Sequence, residues 1–505
     1  MSTDQQSAFD TEIEAIRDMV TERRSVWLEM SSAEELRSME LEAAELGRRL
    51  ADAITEEILR QVLADPAFVA VVLAAALNGG RKMRRSGSAK HTISLLGGRQ
   101  IEVKVPYLRP DRRSKPGPKR KPGQRGKGGV GMRPTLEALG IRWNTTPALQ
   151  GEVMRQVAAS ESFRPALEAL QARGIDLGYK QTLRLVHRFG QGAVSARTQW
   201  VQAIERGEVV PSDTLASKRV IVSPDGGRTR LRAPKTRGRR RKSGHRGFDT
   251  PWAEPKLFVI YVIDSNGKLE STFRPAYDAT LGDADAMFEL LFAYLWALGA
   301  ANAECLVVLG DGARWIWERA PKLAARLGLP LERLTQVVDK YHAVEYLGET
   351  AKQAGSDGNA DPNWLRRAKQ MLDNGDAEGV AWEIELLGEG IEDPEFASRA
   401  DYFLRNADRM RYPTFKRQGI PIGSGAAESA IRRVVNLKMK GNGKFWLAEH
   451  AEAMLMMRCY LKCGRFDDFI NWVQATATPW WHSVQYLSPL GADGTGPSAL
   501  VQAAA

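Results

Sequence analysis

Along the chain, apolar positions recur first at helical spacing, then at strand spacing, and the switches between the two mark out its parts. Leu36, Met39, Ala43, Leu46, Leu50 and Ala53 follow alternating steps of three and four, with Ile54 and Ile58 widening the stripe. That spacing predicts an amphipathic helix. Such a stripe can pack within one chain or pair two subunits as a short coiled coil. Residues 91–107 (HTISLLGGRQIEVKVPY) alternate around a Gly-Gly turn, which predicts a hairpin. Residues 130–206 return to helical spacing. Within them, residues 162–172, the turn at 173–178 and residues 179–190 have the length of a helix-turn-helix.

From residue 218 the texture becomes strand and helix in turn. Residues 218–223 (KRVIVS) read as a strand ending at Pro224-Asp225-Gly226-Gly227-Arg228. Residues 228–232 are expected to return antiparallel to it, residues 257–264 (LFVIYVID) to form a third strand, and residues 268–274 to prolong the meander. An amphipathic helix follows at 283–300, then an apolar strand at 304–310 (ECLVVLG) ending at Asp311-Gly312, a helix at 314–327 and a strand at 334–339. Antiparallel strands followed by helix crossovers predict an α/β fold with a mixed sheet. Residues 341–412 read as a helical insertion. After it come residues 419–446 (GIPIGSGAAESAIRRVVNLKMKGNGKFW), a Met-rich helix to about residue 470, and a loose tail over 476–505.

Composition narrows what such a chain can be. A length of 505 residues suggests roughly three domains. With 43% hydrophobic and 26% charged residues, disorder and fibrous repeats are excluded. No apolar run approaches the roughly 18 residues of a membrane span, and residues 67–77 read as a buried helix. The acidic, polar first residues do not read as a secretory signal. Three cysteines imply no disulfide framework, and Cys459 and Cys463, four apart without nearby His, make a poor zinc site. The expectation is a soluble protein of a reducing cytoplasm.

Charge points to the partner. Residues 1–60 carry 15 acids against 7 Lys+Arg, so a net total of +11 leaves +19 on the rest. A basic body with an acidic leader suits a polyanion, most simply nucleic acid, although solvated surfaces are also often basic. Residues 109–129 form a Pro/Gly-rich tether with nine Lys/Arg and one acid, able to track phosphates or simply to stay solvated. The second helix of the helix-turn-helix places Lys180, Gln181, Arg184 and Arg188 on its polar positions, where they could reach a major groove. Residues 228–246 hold ten Lys/Arg and no acid, Arg237, Arg239, Arg240 and Arg241 among them. They read as an arm on phosphates or as a solvated loop.

Four acids end apolar strands: Asp225, Asp264, Asp311 and Asp339. Asp before Gly is ordinary turn chemistry, so position alone does not choose among them. Carboxylates at the ends of neighbouring strands can also bridge divalent ions, which take oxygen ligands. Paired ions activate water or a hydroxyl and stabilise a leaving oxygen in phosphoryl transfer. Glu428 falls on a helix after Gly423-Ser424-Gly425, with Ser424 a good N-cap. Trp446 suits a core position better than a wedge against a distorted base.

Taken together, strand-Asp225-Gly-Gly-Arg, Leu-Gly-Asp311-Gly-Ala and Ile-Pro-Ile-Gly-Ser-Gly-Ala-Ala-Glu428-Ser resemble the three acidic motifs of bacterial insertion-sequence transposases of the Asp-Asp-Glu (DDE) type. The resemblance spans about residues 218–475, and the Ser-Gly-x-x-Glu-Ser motif is its most specific part. Asp339-Lys-Tyr-His342 is similar to the Asp-x-x-His signature of the Mutator-like group, in which a helical insertion precedes the Glu; here 116 residues separate Asp311 from Glu428. The resemblance implies a ribonuclease-H-like core over 218–340 and 413–475. It also implies Asp225, Asp311 and Glu428 as the catalytic, metal-binding triad, with Asp339 and His342 in support. Two Mg2+ (or Mn2+) ions would be the cofactors. The partners would be DNA, as element ends and target, and further copies of the chain in a homo-oligomer, with residues 1–80 the candidate dimerisation region. Arg432, Arg433, Lys438 and Lys440, along or just beyond the Glu428 helix, would hold DNA, in the bacterial cytoplasm at the nucleoid. The rivals are a DNA-binding relative that does not cut and a nuclease or resolvase that does not join.

Overall fold

The computed structural model describes residues 8–79, 82–111, 131–235, 237, 247–356, 363–388 and 394–478. These fall into two compact units: the residues up to Gly192 together with those from Ile470 on, and Ala193–Phe469. Among the described residues no single helix is long and apolar enough to cross a membrane.

In the first unit, helices α1 (Ala8–Leu28) and α2 (Ala33–Ala64) pack together, and α3 (Pro66–Asn78) follows. Ser32 and Glu35 form a reciprocal capping box that starts α2, and Asp65 caps α3, whose first residue is a proline. Of the expected α2 stripe, Leu46 and Ala53 are buried while Leu36, Ile54 and Ile58 stay exposed. The hairpin forms as expected, β1 (Met83–Ser94) against β2 (Gln100–Pro110), and begins earlier than its alternation showed. Buried Asp52 of α2 accepts hydrogen bonds from the Gly97 and Arg99 amides at 2.9 Å, so a helix carboxylate satisfies the hairpin turn. Ile93, Ile101, Val103 and Val105 pack with Leu63, Leu136 and Ile141 into one cluster. Helices α4 (Pro134–Ala138), α5 (Pro147–Ala159) and α6 (Phe163–Gln171) follow, and α7 (Tyr179–Glu205) runs well beyond its expected end at residue 190.

The second unit is built on a mixed sheet of five strands. In chain order they are β3 (Arg219–Gly226), β8 (Lys256–Ile263), β9 (Ala276–Thr280), β10 (Cys305–Gly310) and β11 (Leu334–Val338). Between β3 and β8 lie four two-residue strands: β4 (Thr229–Arg230), β5 (Ala233–Pro234), β6 (Phe248–Asp249) and β7 (Trp252–Ala253). The sheet order is β11-β10-β3-β8-β9, antiparallel from β3 through β9 and parallel from β3 through β11. The first strand is therefore central. Two expected strands fall elsewhere: residues 228–232 do not return against β3, whose partner is β8, and the meander closes through β9 rather than through residues 268–274. Arg-rich sequence carries no two-residue apolar alternation, which is why the true pairing was hidden.

Helix α8 (Ala284–Ala297) is capped by Asp283 and buried on nearly every side, so it is a core helix rather than an amphipathic one. The single helix expected after β10 divides into α9 (Arg314–Trp317) and α10 (Ala320–Leu327). The insertion supplies α11 (Lys340–Ser356), α12 (Trp364–Asp373), α13 (Ala377–Leu387), α14 (Pro394–Asn406) and α15 (Tyr412–Arg417). Helix α16 (Gly425–Ile431) runs into a π-helical turn at Arg432–Asn436 and a last turn α17 (Leu437–Met439). The Met-rich helix breaks at Gly464 into α18 (Ala448–Lys462) and α19 (Phe466–Thr476). Ile221, Val259, Val307 and Val337 of the sheet share one core cluster with the insertion and with Val434, Val435 and Leu455.

Candidate active site: carboxylates at the strand ends

Sheet register brings three acids into one row. β3 and β10 pair from Arg219 with Cys305 to Val222 with Val308, and β10 and β11 pair from Leu306 with Leu334 to Gly310 with Val338. The Ser223 hydroxyl donates to Leu309 O (2.9 Å) and the Asp339 amide to Gly310 O (2.7 Å), so the rows hold to the strand ends. Counting on in the same register aligns Asp225, Asp311 and Asp339 across three parallel neighbours. Side chains at equal register share a face. Asp225 is still within its strand, opposite Leu257, rather than in a turn.

Glu428 reaches the same place from another element. Helix α16 packs on β3 and β8. The approach is close: a Cβ on Gly227 would lie 3.1 Å from Val435 Cγ1, so a side chain there would have to push back the segment after Glu428 by a few tenths of an ångström. Burial is the largest influence on Asp225, and with the negative charges of Asp311 and Glu428 it raises the carboxyl to about 6. The Gly226 amide, 2.6 Å from Oδ1, and the His342 imidazole act in the opposite direction.

The other strand-end acids have different work. Asp264 accepts from the Asn266 and Lys268 amides at 2.9 and 2.8 Å, which is turn chemistry. Asp339 is fully buried and acts as a latch. Its Oδ1 accepts from the Tyr341 (2.7 Å) and His342 (3.1 Å) amides at the start of α11, and its Oδ2 accepts from the amide (2.5 Å) and hydroxyl of Ser424. The Lys340 amide adds a bond to Ile422 O at 2.9 Å. The expected side-chain cap of α16 by Ser424 does not form; Ser424 instead ties the Gly-Ser-Gly segment to Asp339, four residues before Glu428.

The insertion lines the approach to Asp311. A cavity of about 250 Å³ is bounded by Asp311, Arg314, His342, Tyr346, Tyr402 and Arg405, among others. Asp311 Oδ1 accepts from the Ala313 amide at 3.0 Å, and the Tyr402 hydroxyl donates to Asp311 O at 3.1 Å. Gly312 sits at φ 91°, where a Cβ would fall 2.5 Å from the Tyr402 ring. Burial, then the Asp311 charge, pushes the Tyr402 hydroxyl far above its usual range, so it remains a donor. His342 is exposed, with Nδ1 3.9 Å from Glu345 Oε2. Of the lining side chains the sequence reading missed, Tyr346 lies four residues after His342 on the same helical face, which was a usable signal. Tyr402 and Arg405 gave none.

The predicted cations separate. Lys180, Arg184 and Arg188 are exposed on α7, and Gln181 is half-buried. Arg237, Arg432 and Lys440 are exposed. Arg433 turns inward, donating to Ser429 O (3.2 Å) and the Tyr277 hydroxyl (3.4 Å). Lys438 is only 2% exposed, which corrects its expected place on a DNA-facing surface: the π-helical turn rotates it into the interior. Arg239, Arg240 and Arg241, residues 112–129 of the tether and the tail from 479 lie outside the described residues. Trp446 is half-buried, its indole N–H donating to Met439 O at 3.2 Å, a structural position.

The donor set suits a hard cation, since it offers carboxylate oxygens in a cluster where burial first, and then the charges of Asp311 and Glu428, hold Asp225 in its protonated form to unusually high pH. Among the described residues no three such side chains stand close enough to hold an ion as they are. Asp225 and Asp311 each engage Oδ1 with a nearby amide, which leaves Oδ2 available. Neither a family model nor a curated protein sequence matches the chain. Among solved structures, it is similar at 11% identity and a TM-score of 0.22 to a chain of the "Drosophila P element transposase strand transfer complex", over 65% of this chain and 80% of that one. A likeness at that level carries no argument about the fold or the reaction.

Proposed function

We propose that the second unit is a ribonuclease-H-like catalytic core and that the protein is a DNA transposase of the DDE type, cutting element ends and joining them to target DNA. The observation that carries this is the convergence of Asp225, Asp311 and Glu428: two carboxylates in one register on adjacent parallel strands, with a third on the helix packed across them. The sheet order, with the strand bearing Asp225 at its centre, supports the ribonuclease-H-like reading. The basic balance of the chain and the exposed cations of α7 support DNA as substrate. A bacterial cytoplasmic setting and an assembly of several copies on DNA belong to the same proposal.

Two Mg2+ or Mn2+ ions held by Asp225, Asp311 and Glu428 would supply the activation of the attacking oxygen and the neutralisation of phosphate charge. The chain positions the reactants. The Asp339–Ser424 latch sets the start of the segment bearing Glu428, and Tyr402 holds the Asp311–Gly312 turn. Arg314, Arg405 and His342 line the space beside Asp311, where they would contact phosphate oxygens. In the first step a water oxygen bonds to phosphorus, the bond to O3′ breaks, and O3′ leaves as a hydroxyl. In the second that hydroxyl attacks a target phosphodiester, so one bond forms for each bond broken.

The test is incubation of the purified chain with Mg2+, labelled duplexes carrying the sequences that flank its gene, and an unlabelled plasmid. Nicked ends with free 3′-hydroxyls together with label joined to plasmid support the proposal. Nicks without joined products would assign a nuclease instead, and binding without nicks a DNA-binding relative.

A further inference from the structure

Between β3 and β8 the described residues 229–235 and 247–253 form a two-sided ribbon. Thr229–Arg230 pairs antiparallel with Trp252–Ala253, and Ala233–Pro234 with Phe248–Asp249. Its inner face is anchored. Thr229 is buried with its hydroxyl 3.3 Å from Met439 O, and Leu231 packs against the core. The Arg232 amide donates to Trp446 O (2.7 Å) and the Trp446 amide to Arg230 O (3.1 Å), so the segment after α17 runs beside the ribbon.

The outer face carries Arg230, Arg232 and Pro234 on one strand with Phe248, Thr250 and Trp252 on the other, by the alternation of the ladder. Both arginines are exposed, and Trp252 is 55% exposed. The Arg230 guanidinium stands 4.6 Å from the Trp252 ring centre and that of Arg232 4.3 Å from Phe248, which itself packs on Phe445. No acid shares this face, and among the described residues neither arginine has a carboxylate partner.

We propose that this outer face docks duplex DNA, with Arg230 and Arg232 on backbone phosphates beside the acid cluster. A guanidinium stacked on a ring keeps its edge N–H groups directed outward and loses little further freedom on meeting a phosphate. A two-stranded ribbon is of a width that the major groove admits. The ribbon is rooted two residues from Asp225, with the Gly227 amide donating to Pro255 O at 2.8 Å, so the duplex it holds is the one presented to the acids. The inference deepens the transposase reading and rests on it for its purpose, while the binding it describes is measurable with cleavage silent.

The experiment uses the full chain in EDTA and a fluorescein-labelled random-sequence duplex, with affinity followed by anisotropy across a salt series. For Arg230→Ala/Arg232→Ala the log–log salt slope should fall by about 1.8, at roughly 0.9 per phosphate, and affinity at low salt by roughly tenfold or more. Arg230→Lys/Arg232→Lys should keep the slope, because a lysine still neutralises a phosphate. An unchanged slope in the alanine pair overturns the proposal, as does a loss confined to single-stranded oligonucleotide. An alanine defect that the lysine pair does not rescue also overturns it, since it marks a collapsed ribbon rather than missing charge. Failure of cleavage with this binding result intact would sink the assignment of the acids and leave the ribbon standing.

Discussion

Asp225 is buried beside the charges of Asp311 and Glu428, and its titration should show it. With the folded carboxyl raised to about 6 against an ordinary 3.8, the folded protein holds the proton more tightly than the unfolded chain. Stability from this group is therefore full below about pH 4 and is lost as pH rises through about 6. In EDTA, Asp225→Asn should leave stability near wild type at pH 4 and raise it at pH 8 by an amount on the order of 2 kcal/mol, seen as a higher melting temperature. Added Mn2+ should raise the wild-type melting temperature at pH 8 and not that of the variant. A variant that melts lower at both pH values would mean the carboxylate is a structural partner instead. Tyr402 gives a second test. Tyr402→Phe removes one hydrogen bond to Asp311 O, about 1 kcal/mol, whereas Gly312→Ala faces both the φ of 91° and the Tyr402 ring and should cost more. Urea unfolding reads both, and a Mg2+ titration of cleavage should show a raised requirement in Tyr402→Phe.

Among elements, the latch joining β11, α11 and the segment before α16 has the clearest energetic consequence. Asp339→Ala leaves two helix amides and both Ser424 donors without their acceptor in a buried place, and should cost roughly 3 kcal/mol or more. Ser424→Ala loses only the hydroxyl bond and should cost roughly 1–2 kcal/mol by the same denaturant measurement. Much of this region was legible in the sequence. Apolar runs ending in Asp located β3, β10 and β11 because strands buried on both faces show as unbroken apolar stretches, although β3 itself runs on through Asp225 to Gly226. What the runs could not reveal was which acid each end would use for what: Asp264 serves a turn and Asp339 a latch, and their hydrogen-bond partners separate them from Asp225 and Asp311. The ribbon was illegible for a related reason, since its anchoring hydrogen bonds go to the backbone of Trp446 and Met439, far off in sequence. The same holds for Tyr402, placed by the packing of the insertion rather than by any local pattern.

For the molecule as a whole, the proposed DNA contact includes the exposed cations of α7 as well as the groups beside the acids. Lys180→Ala/Arg184→Ala/Arg188→Ala on α7 should lower the salt slope of DNA binding by up to about 2.7 without moving the melting temperature, because all three side chains are exposed. Beneath the sheet, Asp278 is buried against Arg197 (3.0 Å) and the Tyr294 hydroxyl (2.9 Å), and Arg197 also pairs with Glu452. This network ties the later part of α7, β9 and α18 together, and Asp278→Ala should destabilise by roughly 3–5 kcal/mol in thermal or denaturant unfolding, since it strands a buried guanidinium. The most direct measurement of the central claim is Mg2+-dependent cleavage of labelled end-sequence duplex by wild type, Asp225→Asn, Asp311→Asn, Glu428→Gln and Asp264→Asn, each first shown to be folded and to bind DNA. The account predicts cleavage by wild type and Asp264→Asn and a loss of at least about a thousandfold, some 4 kcal/mol of barrier, in the other three. Cleavage that survives in any of those three, or fails equally in Asp264→Asn, would contradict it.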